Sequence, residues 1–386
     1  MYSEQAMIRC AIYRGGTSKG IYLLEHDLPK DHQVRDRAIL AIYGSPDPRQ
    51  INGLGGADSL TSKVAIIGPS RRPDADVDYT FGQVSITSPF IDYSGNCGNI
   101  SSGVGPFAID EGLIKVVEPI TQVRIFNTNT QKIIVAEVPV VGGRAAVEGD
   151  CTIAGVPGSG ARIMLNFLDS GGAVTGKVLP TGNVRDGISV AGYESLIVSI
   201  VDAAIPCVFV KAGDLGIKGT VLPAKINADP ALLRTLEDIR GAAAEMIGLV
   251  KDRREATERS PAVPKMIFVS GAANCRNCEE NLRDREISLI ARAMSMQKAH
   301  KAYPVTGSIC TAVAASIAGT IVNEVSGGPK DANRICIGHP AGTITVEIIV
   351  EHAGDEYQVK RAALERTARR ILTGYVHVPV RYLFEK

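Results

Sequence analysis

Four short segments of the sequence combine glycine with basic, nucleophilic or hydroxyl side chains. They are RGGTSKG at 14–20, GLGGADSLTSK at 53–63, SGNCGN at 94–99 and HKAYPVTGSI at 300–309. Glycine lets the backbone approach a ligand closely, and the N–H groups of such loops bind anions. The segments therefore indicate a site for a small anion, at which a lysine or cysteine could transfer a proton.

The first segment superficially resembles a phosphate loop. Its order is Ser-Lys, whereas the nucleotide-binding pattern needs Lys-Ser/Thr after two glycines five apart, so nucleotide binding is disfavoured. The remaining interpretations are a β-turn with an exposed lysine, or a loop whose hydroxyls at Thr17 and Ser18 and whose N–H groups hold a small anion.

The second segment ends at Lys63, which opens an apolar strand after a glycine-rich loop. A lysine at a strand entrance is usually solvated. Between a glycine loop and a buried strand, however, desolvation would make a neutral amine available as a base.

The third segment sets Cys97 between Asn96 and Gly98-Asn99, directly before a stretch of small residues. If that stretch is a helix, Cys97 lies at its N-terminus, where the positive end of the helix dipole favours a thiolate and binds carboxylates. The alternative is a buried structural cysteine.

The fourth segment mirrors the third, because His300 precedes a second glycine-then-helix start at Gly307 and Ser308. The alternative is that His300 caps the preceding helix. Arg292, nearby in the sequence, is a further candidate for binding a carboxylate.

Composition excludes several classes of protein. The 386 residues carry 42 basic and 41 acidic side chains, a balance too even to hold a polyanion or a membrane surface, so we expect neither a nucleic-acid nor a membrane partner. The length favours two large domains. Glycine numbers 40, against about 27 for an average chain, in keeping with many tight turns and close backbone approaches.

Cysteine usage and the motifs in the sequence favour a cytoplasmic protein without a metal or cofactor. The eight cysteines have no regular spacing in a chain too large to need disulfides, so we expect reduced thiols, and the N-terminus shows no secretory signal. CRNC at 275–278 lacks two further zinc ligands nearby, and HExxH and GxGxxG motifs are missing from the sequence.

Hydrophobic periodicity predicts a first half that is mostly sheet and a second half that mixes strands with helices. Apolar residues at helical spacing predict helices over ADPALLRTLEDIRGAAAEMIGLV and NLRDREISLIARAMSMQKAH, whereas the tail RAALERTARRILTGYVHVPV fits a helix or a strand. The turn-rich stretch around 173–187 predicts a linker, which divides the chain into domains 1–182 and 183–386, with the final strand a candidate to return to the first domain.

Each half also has one long uncharged stretch of small residues that follows a glycine, starting at Gly95 and Gly307. This echo suggests two homologous halves. The uncharged run 302–323 is long enough to span a membrane, but its Pro, Gly, Ser and Thr residues favour a buried helix packed closely against a sheet.

Taken together, RGGTSKG, GLGGADSLTSKVAII, SGNCGN with its small-residue helix, HKAYPVTGSICTAVA and RTARRILTGYVHVP closely resemble the PrpF family. That family belongs to the diaminopimelate epimerase-like superfamily and includes 2-methylaconitate cis-trans isomerase, 3-methylitaconate Δ-isomerase and 4-oxalomesaconate tautomerase. The resemblance covers nearly the whole chain, and the order of several separate motifs makes it specific.

The resemblance implies an α+β fold of two similar domains, each a β-barrel-like sheet around a central helix, with the active site in the cleft between them. It implies a cofactor-independent isomerase that moves a proton between allylic carbons of an unsaturated di- or tricarboxylate, 3-methylitaconate or 4-oxalomesaconate before 2-methylaconitate. Lys63 and Cys97 are then the acid and base, in an order left open. The implied substrate ligands are Thr17, Ser18, Asn96, Gly98, Asn99, His300 and Ser308, with Arg292 as an addition.

Two other functions compete with this one. Racemases of the superfamily use two facing cysteines, whereas Gly307-Ser308 occupies the second helix start here and Cys310, which we expect to be buried, follows two residues later. The other alternative is a non-catalytic carboxylate-binding accessory protein of an aconitase-like dehydratase. A homo-oligomer is also expected.

Overall fold

The chain forms two compact units. The computed structural model describes residues 4–275, 283–329, 333–354 and 356–384. The first unit comprises Met1–Thr152, Gly158–Leu165 and Arg366–Lys386, and the second comprises Ile153–Pro157 and Asn166–Glu365. The domain boundary between residues 182 and 183 stays a prediction from the sequence.

Strands make up most of the regular structure. In chain order they are β1 (Gln5–Gly15), β2 (Ser18–Leu24), β3 (Lys63–Pro69), β4 (Val77–Val84), β5 (Ile91–Asp92), β6 (Ile120–Asn127), β7 (Lys132–Val141), β8 (Arg144–Ala145), β9 (Ile163–Phe167), β10 (Asp186–Val190), β11 (Tyr193–Ala203), β12 (Ile205–Lys211), β13 (Lys265–Gly271), β14 (Leu289–Ser295), β15 (Lys298–Ala299), β16 (Arg334–His339), β17 (Gly342–Ala353), β18 (Glu356–Arg366) and β19 (Ala368–Pro379).

The α-helices are fewer and several are short. They are α1 (His32–Tyr43), α2 (Gly98–Asp110), α3 (Pro223–Asn227), α4 (Pro230–Met246), α5 (Ala256–Arg259), α6 (Val305–Ser316) and α7 (Ile321–Ser326). Helix α4 confirms one of the two helices that periodicity predicted, and Asp229 caps it by accepting hydrogen bonds from the backbone N–H groups of Ala231 and Leu232.

The two units repeat one strand topology. In the first, the sheet order is β19-β1-β2-β3-β4-β6-β7, antiparallel except for the β2-β3 and β4-β6 pairs. In the second, the order is β10-β11-β12-β13-β14-β16-β17-β18, and the parallel pairs β12-β13 and β14-β16 occupy equivalent places. This repetition supports the two halves inferred from the sequence echo.

The small-residue stretch of the first unit is a buried central helix, as predicted. Residues 98–109 of α2 are all buried, and the helix contacts β1, β2, β3, β4, β6, β7 and β19. A Cβ atom on Gly103 would lie 2.5 Å from the hydroxyl of Tyr22, and one on Gly105 would lie 2.7 Å from a methyl of Val138. Small residues are therefore required for the sheet to close around this helix.

The second stretch is buried in the same way. Helix α6 contacts β11, β12, β16 and β17, and residues 305–315 are all buried. Within the described part of the chain, each helix is too short or too polar to cross a bilayer.

The predicted helix over NLRDREISLIARAMSMQKAH is wrong in its described part. Residues 289–295 form strand β14, which is buried along its whole length between β13 and β16. Pairing with two neighbouring strands outweighed the local helical spacing. The ambiguous tail is resolved as the two strands β18 and β19, and helix α1 was not predicted.

The expectation that every cysteine is reduced holds for the free thiols at Cys10, Cys97, Cys151, Cys207, Cys310 and Cys336. It is wrong for Cys275, which is disulfide-bonded. Cys278 lies outside the described residues.

Candidate active site

The RGGTSKG loop packs on the first turn of α2. Gly16 has a left-handed φ of +51°, and a Cβ atom there would lie 2.1 Å from Oδ1 of Asn99. That oxygen accepts a hydrogen bond from the N–H of Thr17 (3.3 Å), and Nδ2 of Asn99 donates to the hydroxyl of Thr17 (3.1 Å). Residues from two predicted segments are thus joined directly, because only glycine permits this approach.

Cys97 is the N-cap residue of α2 and is partly exposed. The first helical hydrogen bond runs from the N–H of Ser101 to the carbonyl of Cys97, at 2.9 Å. The N–H groups of Gly98, Asn99 and Ile100 come before this bond and have no carbonyl acceptor within the helix. The first turn carries no acidic side chain. The N-terminus of α2 can therefore attract a substrate carboxylate beside Cys97.

Two buried phenols lie near Cys97. Burial raises the pKa of Tyr79 and of Tyr22 well above the usual value, and negative charge on Cys97 raises both pKa values further. Both side chains therefore stay protonated beside the thiol. The hydroxyl of Tyr22 donates to the carbonyl of Ile100 and so anchors the first turn of α2 to β2.

Lys63 is the first residue of β3 and is only 5% exposed, so the solvated-lysine alternative does not hold. Its Nζ donates to Oε1 of Gln83 at 2.5 Å and lies 5.3 Å from the centre of the Phe81 ring. A Cβ atom on Gly20 would contact both the carbonyl of Lys63 and the side chain of Ile100. Lys63 therefore enters the core beside the first turn of α2.

The polar residues around this turn are also buried. Oδ1 of Asn96 accepts a hydrogen bond from the hydroxyl of Ser101 at 3.3 Å, which directs its amide. Ser18 is 3% exposed, and its hydroxyl has no hydrogen-bond partner among the described residues. An unsatisfied buried hydroxyl is costly, and a ligand oxygen would satisfy it.

Sequence reasoning did not single out Arg366, although its side chain lies against the same loop. Its Cδ would be 3.3 Å from a Cβ atom on Gly16, and the N–H of Gly16 donates to the carbonyl of Thr367. Arg366 is 6% exposed, and burial lowers its pKa to about 10, so it is still charged at neutral pH. The only signal in the sequence was its place in the RTARR motif of the tail.

The second unit places its candidates around α6, but the predicted helix start is wrong. Helix α6 begins at Val305, after Pro304, so Gly307 and Ser308 lie within its first turn. The hydroxyl of Ser308 donates to the carbonyl of Val305 at 2.8 Å, and Ser308 is fully buried. A proline tolerated just before the helix explains the earlier start.

His300 and Arg292 are also buried in the second unit. Nδ1 of His300 accepts a hydrogen bond from the N–H of Ala302 at 3.0 Å, which leaves Nε2 as the ring nitrogen that carries a proton in the neutral form. The guanidinium of Arg292 donates to the carbonyls of Val221 and Ala291, and burial lowers its pKa to about 10. Arg292 thus supports backbone in its own unit.

Cys310 is completely buried, as expected, and its thiol donates to the carbonyl of Val201. Burial raises its pKa well above the usual value. These are the properties of an inert structural thiol. For metals, the described residues contain no cluster of three or more His, Cys, Asp or Glu side chains suited to holding an ion.

The chain matches the family model described as PrpF protein over residues 5–379. The chain belongs to the PrpF family. It is 53% identical to the 3-methylitaconate isomerase of Eubacterium barkeri, over 97% of this chain and 98% of that protein. It is 42% identical to the 4-oxalomesaconate tautomerase of Pseudomonas putida, over 96% of each chain.

The crystal structure of a methylitaconate-delta-isomerase has the same fold. It superposes with a TM-score of 0.81 at 52% identity and covers 100% of this chain and 98% of that one. The family resemblance and the α+β diaminopimelate epimerase-like fold expected from the sequence are thereby confirmed, and this PrpF-family protein is an isomerase.

Proposed function

We propose that this protein interconverts 3-methylitaconate with the isomer whose double bond has moved one position. The observation that carries the proposal is the 53% identity to the 3-methylitaconate isomerase of Eubacterium barkeri over nearly the whole of both chains. The buried lysine and the cysteine at a helix N-terminus support it, because an allylic proton shift needs a base, an acid and a site for carboxylates.

The reaction begins with loss of the proton from the carbon that carries both the methyl group and a carboxylate. The electron pair spreads into that carboxylate and along the neighbouring double bond. Protonation of the terminal methylene then gives a second methyl group and leaves a dimethylbutenedioate. The intermediate is a dienolate, whose extra negative charge the N–H groups at the start of α2 would stabilise.

Lys63 and Cys97 serve as the proton-transfer pair in this proposal. One takes the proton from the substituted carbon, and one of the pair returns it at the methylene. Thr17, Ser18, Asn96, Gly98 and Asn99 hold the carboxylates beside the first turn of α2. His300, Ser308 and Arg292 stay predictions as substrate ligands, as do the homo-oligomer and the cytoplasmic location.

The substrate is tested by incubating the protein with 3-methylitaconate in D2O and recording proton NMR spectra. We expect the vinylic signals and the methyl doublet of the substrate to diminish while the single methyl signal of the symmetric dimethylbutenedioate grows, with deuterium in the new methyl group wherever the returning acid exchanges with solvent. An acid that binds but gives no product and no exchange would support the non-catalytic accessory protein and overturn the proposal.

A second substrate, 4-oxalomesaconate, is favoured by the 42% identity to the tautomerase of Pseudomonas putida. The two acids differ by an added carboxylate and keto group, so competition at equal concentration separates them. The kcat/KM values for 3-methylitaconate, 4-oxalomesaconate and 2-methylaconitate should fall in that order.

We also propose that Arg366 binds a substrate carboxylate, because it is a buried cation against the loop that presents Thr17 and Ser18. Replacing Arg366 with glutamine should raise KM by about 10- to 100-fold, since a hydrogen bond to a charged partner contributes about 1.5–3 kcal/mol. Initial rates over a range of substrate concentration, with calorimetric titration of an unreactive dicarboxylate such as succinate, measure this change.

Arg370→Gln is the matched control for Arg366→Gln. Arg370 lies four residues further along the chain, where it pairs with Glu111 at 2.8 Å and with Asp110 at 3.4 Å, near the C-terminal end of α2. We expect Arg370→Gln to lower the melting temperature and leave KM unchanged. Equal KM values for the two variants would show that Arg366 does not bind the substrate.

A further inference from the structure

Gln83 lies directly opposite Lys63 in the sheet of the first unit. The two residues are partners in the antiparallel β3-β4 ladder, and Gln83 is 3% exposed. The same row of paired residues continues across the neighbouring strands. On one side Lys63 pairs with Gly20 of β2, and on the other side Gln83 pairs with Asp92 of β5. The row therefore joins the RGGTSKG loop, the lysine and the strand that leads into Cys97.

The hydrogen bonds of Gln83 fix the orientation of its side-chain amide. Nε2 donates to the carbonyl of Ser62 at 2.9 Å and to that of Ser59 at 3.2 Å. An amide nitrogen donates and cannot accept, so two carbonyl partners identify Nε2 and leave Oε1 facing the other way. The loop that ends at Lys63 thus determines that an acceptor is turned towards Nζ.

That acceptor holds the end of the Lys63 side chain. Oε1 of Gln83 accepts from Nζ at 2.5 Å, and the Phe81 ring lies on the same strand, 5.3 Å from Nζ. A lysine side chain has four rotatable bonds, so an unrestrained Nζ would sample many positions. Two contacts with β4 restrict it.

The neutrality of Gln83 matters as much as its position. An amide oxygen accepts a hydrogen bond from either an amine or an ammonium and adds no charge of its own. A carboxylate in that place would strongly favour the ammonium. Gln83 therefore restrains Lys63 without placing a charge beside it.

We propose that Gln83 is the positioning residue for Lys63: it aims Nζ at the substrate and leaves it able to gain and lose a proton in each turnover. This inference rests on the proposed role of Lys63 in proton transfer. Gln83 itself acts through Lys63 and needs no contact with the substrate.

Two substitutions test the inference by steady-state kinetics between pH 5 and pH 10. Gln83→Met keeps the length of the side chain and removes its hydrogen bonds, so kcat should fall by about 10- to 100-fold while KM changes less than about threefold, as expected for a displaced catalytic group. Gln83→Glu keeps an acceptor and adds a charge, so the kcat/KM profile should lie at higher pH than that of the wild-type protein.

Asn129→Ala is the matched control, because it also removes the hydrogen bonds that a side-chain amide makes to this part of the sheet. The side chain of Asn129 accepts from the N–H of Phe81 and donates to the carbonyls of Phe81 and Tyr93. Thermal unfolding should show a loss of stability in Asn129→Ala as well, but with kcat and the pH profile close to those of the wild-type protein. If Gln83→Met fails to fold, the pH profile of Gln83→Glu decides.

Failure of the inference and failure of the proposed function give different results. Wild-type kcat in Gln83→Met, or an unshifted profile in Gln83→Glu, together with an inactive Lys63→Ala, overturns the positioning role alone. Normal turnover in Lys63→Ala overturns both.

Discussion

Replacing Lys63 with alanine should lower kcat by about 10²- to 10⁴-fold, the range that a positioned acid or base contributes. Lys63 is buried, and its Nζ is held by Gln83, so another side chain cannot readily take its place. The variant should stay folded, because removing a buried polar group also removes the cost of burying it. Turnover of 3-methylitaconate, followed by NMR and paired with thermal unfolding, measures both effects.

Lys115→Ala is the control for Lys63→Ala. Lys115 is an exposed lysine of the same unit that follows the C-terminal end of α2. Its loss should leave kcat and KM unchanged. If Lys63→Ala retained kcat within about threefold of wild type, the lysine would be neither the acid nor the base, and the proposed mechanism would be wrong.

Replacing Cys97 with alanine should cause a loss of similar size, about 10²- to 10⁴-fold in kcat. The thiol lies at the N-cap of a buried helix, and alanine can neither accept nor return a proton. Cys97→Ser separates position from reactivity, because a hydroxyl in the same place is a far weaker acid. The serine variant should bind succinate like the wild-type protein and turn over slowly.

Cys310→Ser distinguishes the single-thiol isomerase from a two-thiol racemase. Cys310 donates to the carbonyl of Val201 inside the core, and serine can make the same hydrogen bond. We expect Cys310→Ser to keep most of its activity while Cys97→Ser loses it. Comparable losses in the two variants would favour the racemase.

Local segments of the sequence predicted the helices and strands that depend on local residues. The two stretches of small residues, one after Gly95 and one before Ile317, were correctly predicted to form buried helices. Each is rich in small uncharged side chains, which the core can accommodate. Helix α4 was predicted because its apolar residues recur at helical spacing within one short window. Strand β14 was misread, because its pairing with β13 and β16 outweighs a helical spacing that carries no information about distant partners.

The candidate site likewise contains residues that local sequence reveals and residues that only distant contacts reveal. Thr17, Lys63, Cys97 and Asn99 are recognisable because each lies in a short motif with glycine. Gln83 and Arg366 are not, because each becomes significant only beside a residue from another segment: Gln83 beside Lys63, and Arg366 beside Gly16. Neither residue lies at a spacing in the sequence that would identify it as part of a site.

The sequence by itself determined the family, the two repeated halves and the identity of the lysine and cysteine proposed to move the proton. These follow from residue types in short contiguous motifs, whose backbone preferences are local. Only the tertiary structure decided which amide holds Lys63 and which arginine lies against the RGGTSKG loop. Those features depend on strand register and on the closure of a sheet around a helix, which bring together residues that are distant in the chain.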